Sequence, residues 1–272
     1  MVIGIYSNIK KDVGLKVSKR FAALLQKDGI EYFTADSSVE LGGAAATKEN
    51  LSKKTDLIVA FGGDGTLISV AKHAAREGTP IVGVNMGNLG FLTETDENGL
   101  EVLLKALKAG AYQIETRALI EAEAGGVKHL ALNEIVVKER EGRMAYVRLS
   151  VDGSVLDEYY ADGVLVSTPT GSTAYSLAAG GPILAPDVKA FIINPLNPHS
   201  LHCRPFVVGD NHTVRVESLK KEYYLKISVD GKAKAELEPD EILTIKRSSV
   251  TAKFIRLKTY DFYDTVLKKF NK

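Results

Sequence analysis

The sequence predicts an α/β domain with a mainly parallel sheet, then an all-β, sandwich-like domain, and a final helix returning to the first domain. Three observations predict this. Strand-like and helix-like periods alternate over residues 1–110. From 112 to 257 the texture becomes short β-rich runs separated by turn signals. Residues 262–270 then revert to a helical period. One domain is therefore expected over 1–110 with 258–272, and the other over 111–257.

Residues 2–6 form a buried-type strand, after which Ser7-Asn8 supplies turn or cap chemistry. Val13, Val17, Phe21, Leu24 and Leu25 recur at helical spacing, and Gly29 stops that helix. A second strand is expected over 30–34. Residues 35–50, with Gly42-Gly43 and three consecutive alanines, read as a variable or mobile loop. The next strand spans 57–61, and Leu67, Val70, Ala71 and Ala74 mark one face of the following helix, which Gly78 closes. Pro80 opens a strand over 81–85, and 100–109 is a helix closed by Gly110. Such alternation implies a parallel sheet covered on both faces. Further strands are expected over 131–138, 145–151, 163–167, 206–208, 213–216, 225–229 and 251–256, with Asp152-Gly153 and Asp230-Gly231 among the turns.

Composition narrows the function classes. A 272-residue chain with 45% hydrophobic and 25% charged residues is an ordinary globular protein of one large or two modest domains. The net charge of +1 and the lack of long basic runs argue against nucleic acid or an anionic membrane as partner. No apolar run approaches a membrane span. The lone Cys203 cannot form an internal disulfide, so a reducing, cytoplasmic setting is expected.

The most informative segment is Gly62-Gly63-Asp64-Gly65-Thr66, between a buried-type strand and a helix. Glycines let backbone N–H groups approach a ligand and permit φ > 0, so this turn can cradle phosphate, helped by the helix N-terminus beside it. A carboxylate inside such a turn is electrostatically awkward, which points to chemistry rather than packing. The alternative is a plain tight turn. A P-loop is excluded because no Lys-Ser or Lys-Thr follows, and Asn85 stands where a dinucleotide fingerprint would need its first glycine before Gly87 and Gly90.

Three more segments carry unexpected polar residues. Asn133-Glu134 lies within an apolar stretch, where one of the two would face the core or a cleft, unless the strand starts at Ile135. Asp162-Gly163 precedes the strand at 164–167. Residues 167–182 are rich in glycine and hydroxyls: Ser167, Thr168, Thr170, Ser172, Thr173, Tyr175 and Ser176 offer donors and acceptors for ribose, amide or phosphate, or form a solvated loop. The five histidines show no metal-binding spacing, and no Gly-x-Ser-x-Gly elbow occurs, so no protein-held metal and no serine hydrolase is expected.

In this order, these segments resemble the NAD kinases: Gly62-Gly63-Asp64-Gly65-Thr66, Asn133-Glu134, Ala161-Asp162-Gly163, and the Thr-Pro-Thr-Gly-Ser-Thr-Ala-Tyr run at 168–175 leading to Gly180-Gly181-Pro182. The likeness extends through 86–92, Arg204-Pro205 and the terminal helix. It implies phosphorylation of the adenosine-ribose 2′-hydroxyl of NAD by ATP or polyphosphate with Mg²⁺, giving NADP. By the resemblance, Asp64 is the general base, and Asp64, Gly65, Asn133, Glu134, Asp162, Thr173, Ala174, Tyr175, Ser176, Leu177 and Ala178 contact NAD. Gly62, Gly63, Gly65 and Thr66 would lie beside the donor phosphates. It makes the first domain the phosphate-binding one and the β-rich domain the NAD-binding one, in a homodimer or homotetramer whose sites are completed across subunits.

Two positions depart from the family pattern. Ser69 stands where many members have a basic residue, with Lys72 further on, and Tyr160 stands where many have arginine. Arg143 and Lys232 are the candidates to help neutralise the NAD pyrophosphate. Two other readings compete: a related lipid or sugar kinase, and a non-catalytic NAD or NADP sensor. The first has no use for Asn133-Glu134, and the second has no use for a base in an anion-binding turn.

Overall fold

The computed structural model describes residues 1–35, 40–87, 90–200, 202–257 and 261–271. Parts of the expected 35–50 loop (36–39) and of the 86–92 segment (88–89), and residues 258–260 and 272 of the returning segment, lie outside the described residues. The chain forms two compact units, Met1–Thr116 with Thr251–Lys272, and Arg117–Val250.

The first unit is built on parallel strands β1 (Ile3–Ser7), β2 (Tyr32–Ala35), β3 (Ala44–Ala46), β4 (Leu57–Gly62) and β5 (Ile81–Asn85), in the order β3-β2-β1-β4-β5. Between them run α1 (Lys16–Lys27), α2 (Lys48–Lys54) and α3 (Asp64–Glu77), and α4 (Leu100–Ala109) follows. Period-2 alternation divides the strand side chains between two faces. Ile3, Ile5, Leu57, Val59, Phe61, Val82 and Val84 share one core with α1 and α4, through Phe21, Leu25, Leu103 and Leu107. The other face is held close to the helices by small residues: a Cβ at Gly4 would touch Leu51 of α2 at 3.0 Å, and one at Gly83 would reach Leu67 of α3 at 2.6 Å. Gly78 and Gly110 end α3 and α4 in the left-handed conformation, as their positions in the sequence require. The segment 35–50 is more regular than expected, since β3 and the start of α2 lie in it. Thr47 caps α2 by accepting from the Asn50 amide.

The second unit contains β6 (Gln113–Ala124), β7 (Val127–Ala131), β8 (Glu134–Glu139), β9 (Ala145–Val151), β10 (Ser154–Ala161), β11 (Gly163–Ser167), β12 (Ala190–Leu196), β13 (Phe206–Gly209), β14 (Val214–Ser218), β15 (Leu225–Val229), β16 (Lys232–Leu237) and most of β17 (Ile242–Arg256). A six-stranded antiparallel sheet runs β13-β12-β11-β8-β15-β16, and a second layer includes β10-β9-β14-β17. One core lies between the layers, with Ile135, Val137, Val164, Val166 and Phe191 from the first and Val147, Leu149, Val214, Val216 and Leu243 from the second. Residues out of phase with these, Val136, Leu165 and Leu196, turn to the opposite face and pack with Ala179.

β6 begins in the first unit, and the last six residues of β17 return to it, with Phe254 pairing in parallel with Ile81. After β17 comes α5 (Phe262–Phe270), which Asp261 caps by accepting from the Tyr263 and Asp264 amides. This helix belongs to the first unit, where the Phe262 ring lies 6.1 Å from that of Phe91.

Candidate active site

In the first unit the site residues gather at the carboxyl ends of β1, β4 and β5, where open parallel sheets bind ligands. Gly62 ends β4, Gly63 precedes α3, and Asp64 is the helix's first residue rather than the centre of a free turn. None of Gly62, Gly63 and Gly65 has positive φ, so the left-handed freedom of glycine is not used here, and close approach is needed at Gly62 but not at Gly65, where a Cβ would meet nothing within 4 Å. A Cβ at Gly62 would fall 2.2 Å from the Thr66 hydroxyl, which accepts from the side-chain Nδ2 of Asn8, just after β1. Lys11 brings a cation to the same loop, its Nζ 3.4 Å from where a Gly63 Cβ would stand. A 14-residue helix starting here directs its first amides and its positive dipole end toward a ligand.

The Asp64 carboxylate does not hang free in this anion-friendly loop. Oδ2 accepts from the Phe91 amide at 2.8 Å and Oδ1 from the Leu92 amide at 3.0 Å. Each oxygen retains a lone pair for another partner. Ser69, one helical turn along, accepts from the ammonium of Lys48, which brings a cation from α2 beside α3. His73 stands in the same cluster. Burial, and then the Lys48 charge, lower its pKa below the ordinary histidine value.

In the second unit Asn133 and Glu134 form a shelf at the start of β8. The expected single strand over 131–138 is two strands, broken at Leu132 and Asn133. The cause is Asp230, whose carboxylate accepts from the amides of Leu132 (3.1 Å), Asn133 (2.8 Å) and Glu134 (3.3 Å), diverting them from strand pairing. Asp230 sits with φ 47° in the two-residue turn joining β15 and β16, followed by Gly231 at φ 73°. Sequence reading registered Asp230-Gly231 only as a turn. Its signal was a hairpin aspartate whose side chain can also cap a neighbouring strand.

Glu134 is buried, and among the described residues its Oε2 has no hydrogen-bond partner. Burial first, and the Asp230 charge second, push its pKa up to about 7, while a bond from the Tyr175 amide opposes the rise. That bond brings the Asn133-Glu134 shelf together with the hydroxyl-rich segment. The hydroxyls, however, mostly serve the fold, tying the segment to the β7–β8 break and to itself. Thr168 Oγ1 donates to Leu132 O (2.6 Å), Ser167 Oγ to Asn133 O (3.2 Å) and Ser172 Oγ to Pro169 O (2.6 Å). Gly171 lies so close beneath Asn133 that a Cβ would meet its carbonyl oxygen at 2.2 Å. Ser176 is fully buried, with Asn194 Nδ2 donating to its carbonyl at 3.0 Å and its hydroxyl at 3.2 Å. Thr173, Ala174, Tyr175, Leu177 and Ala178 keep some exposure, and Lys138 donates to the Tyr175 hydroxyl at 3.1 Å.

Asp162 is not brought to this shelf. Ser167 pairs with Glu134 at one end of β11, and Gly163 pairs with Lys138 at the other. Asp162 therefore lies a full strand length away, roughly 15 Å. It is exposed and accepts from Asn197 Nδ2 at 2.8 Å. Tyr160, near the same end, is half exposed and edge-on to Tyr146 and His199. Arg143 faces Glu139 and Glu141 and lies over the Tyr223 ring, and Lys232 is exposed at the start of β16.

Among the described residues no group of three or more His, Cys, Asp or Glu is placed to hold a metal, and no helix is long and apolar enough to cross a membrane. The family of ATP-NAD kinase N-terminal domains matches residues 3–112, and that of ATP-NAD kinase C-terminal domains matches 132–257. The NAD kinase of Thermoanaerobacter sp. (strain X514) is 38% identical over 276 residues, with 98% of each chain covered. That of Methanopyrus kandleri is 38% identical over 274 residues, covering 99% of this chain and 97% of its own. An NAD kinase from Archaeoglobus fulgidus, solved in complex with ATP, superposes with a TM-score of 0.79 at 27% identity, covering 100% of this chain and 99% of its own. Yeast NADH kinase complexed with NADH shares the fold, with a TM-score of 0.91 at 21% identity over 100% of this chain and 87% of its own.

Proposed function

This chain belongs to the NAD kinase family, and from that premise we propose that it transfers the γ-phosphoryl group of ATP to the adenosine-ribose 2′-hydroxyl of NAD, with Asp64 as general base. Membership makes it a kinase that phosphorylates a hydroxyl. The observation that carries the finer reading is the Asp64 carboxylate at the mouth of α3, fixed by two backbone amides beside a glycine loop shaped for phosphate. In the proposed step Asp64 takes the 2′-hydroxyl proton while that oxygen forms its bond to the γ-phosphorus. The bond from phosphorus to the bridging oxygen breaks, and ADP leaves with those electrons. A ribose hydroxyl is a weak nucleophile at neutral pH, and a placed base is worth about 10²–10⁴-fold.

Asn133, Glu134 and the Thr173, Ala174 and Tyr175 backbone form the proposed nucleoside shelf. Gly62, Gly63, Gly65 and Thr66 take the donor phosphates, with Lys11 and Lys48 as nearby cations. Magnesium enters as the ATP chelate, held chiefly by phosphate oxygens and water. Polyphosphate fits the same loop as an alternative donor. The half-buried Cys203 is the chain's single cysteine, which keeps a reducing cytoplasm as the proposed setting.

The distance from Asp162 to the shelf supports an oligomer in which a second copy supplies Asp162 to this NAD site. The test of function is NADP formation by the purified protein from NAD, ATP and Mg²⁺, read by an NADP-specific dehydrogenase. Turnover is expected in the wild type, with loss of at least about 10²-fold in Asp64→Asn. NAD binding without turnover on ATP or polyphosphate would favour the sensor, and phosphorylation of diacylglycerol the lipid kinase.

A further inference from the structure

Arg256, the last residue of β17, is buried, and its guanidinium spans the loop that holds Asp64. Nη2 donates to the Phe91 carbonyl at 3.2 Å and Nη1 to the Leu92 carbonyl at 3.1 Å. The amides of the same two residues donate to Asp64. Arginine and aspartate thus grip Phe91 and Leu92 from opposite sides, the cation on their carbonyls and the anion on their amides. We propose that Arg256 is a positioning residue for phosphoryl transfer: it sets the Phe91-Leu92 backbone and so the place of the Asp64 carboxylate. This rests on the reading of Asp64 as the base.

The guanidinium is itself anchored. Nε donates to Glu115 Oε2 at 2.6 Å, and Nη1 also reaches Glu94 Oε2 at 3.3 Å. The second Glu94 oxygen accepts from the Leu257 amide at 2.9 Å. The planar fork of arginine suits such divergent acceptors, whereas a lysine has one nitrogen to offer them. From the other side the Phe91 ring lies against Phe262, and Lys269 stands 4.3 Å from its centroid, so α5 also restrains the loop. Peptide dipoles aligned between a cation and an anion reinforce both bonds. Among the described residues, Glu94 and Glu115 contact the guanidinium and Lys269 lies over the Phe91 ring, while Lys11 approaches Gly63 next to Asp64.

The experiment is steady-state kinetics of full-length Arg256→Lys and Glu115→Gln, with thermal melts, alongside Asp64→Asn. Misplacing a base by an ångström is costly, so kcat of Arg256→Lys should fall about tenfold or more while the NAD KM stays within about threefold. Glu115→Gln, which keeps the arginine but weakens the anchor that places its guanidinium, should lose about threefold to tenfold in kcat. A folded Arg256→Lys with wild-type kcat, or with kcat and the NAD KM changed in equal measure, overturns the inference. If that variant does not fold, wild-type kcat in Glu115→Gln overturns it. Full activity in Asp64→Asn would instead overturn the general-base reading, so the two failures are distinguishable.

Discussion

Gly90 stands where a single methyl group would collide with the catalytic candidate: a Cβ there would lie 2.0 Å from Asp64 Oδ1. Its φ is not in the left-handed region, so backbone strain has no part in the requirement. Gly90→Ala must therefore displace the carboxylate or lift the Phe91-Leu92 amides from it. We expect kcat to drop about 10²-fold with NAD affinity little changed, measured by steady-state kinetics and calorimetric titration of NAD.

Asp230→Ala removes the acceptor for three amides at the β7–β8 break. A charge-assisted bond to a part-buried amide is worth more than a neutral one, and the orphaned amides add to the loss. Urea denaturation should show destabilisation on the order of 3 kcal/mol, with weakened NAD binding. Asp230→Asn, which keeps one acceptor oxygen and tolerates the turn conformation, should lose less.

Glu134 gives the stability curve a definite sign. Its pKa is about 7 in the fold, above the ordinary glutamate value of 4.5. Between these values the folded state binds more protons than the unfolded one, so stability falls as pH rises, and the loss is complete above the folded pKa. Glu134→Gln keeps an oxygen for the Tyr175 amide and removes the buried charge. It should be more stable than wild type by about 2 kcal/mol at pH 8, with the gain vanishing near pH 4.5, in denaturant melts across that range.

The separation of Asp162 from the Glu134 shelf leads to a complementation test. If each NAD site takes Asp162 from a second copy, Asp64→Asn and Asp162→Asn chains refolded together place both defects in one site and leave the other intact. Equal mixing should restore about one quarter of wild-type activity from two inactive parents, as random pairing of symmetric dimers requires. No recovery, with mixed dimers verified by mass, would put Asp162 in its own chain's site or outside the mechanism.

Much of this was legible in the sequence where local pattern and tertiary environment agree. The strands at 57–61 and 81–85, the helix faces of Leu67 and Val70, and the Gly78 and Gly110 stops all satisfy both levels. Strands β10 and β16 were hidden because their side chains are half solvated and charged, and β12 because Pro195 interrupts it. The three alanines of β3 belong to an edge whose pairing comes from β2, not from propensity. At the site, Asp64, Asn133 and Glu134 stood out because a polar residue in an apolar or glycine-rich run is costly without a purpose. Asp230 and Arg256 act through backbone groups far away in the chain, and no local pattern records that. The hydroxyls at 167–176 could not be sorted from the sequence, since identical donors can serve a ligand or the fold, and burial separates them.

The return of β17 to β5 has a consequence for how the molecule is made. The ribosome releases β1 to α4 long before residues 251–256, so the first unit emerges without its last strand or the residue that braces Phe91 and Leu92. Nascent chains up to about 250 residues should carry the glycine loop and Asp64 yet lack the finished scaffold around them. On the proposed roles of Asp64 and Arg256, catalytic competence is expected only after residues 251–256 have emerged.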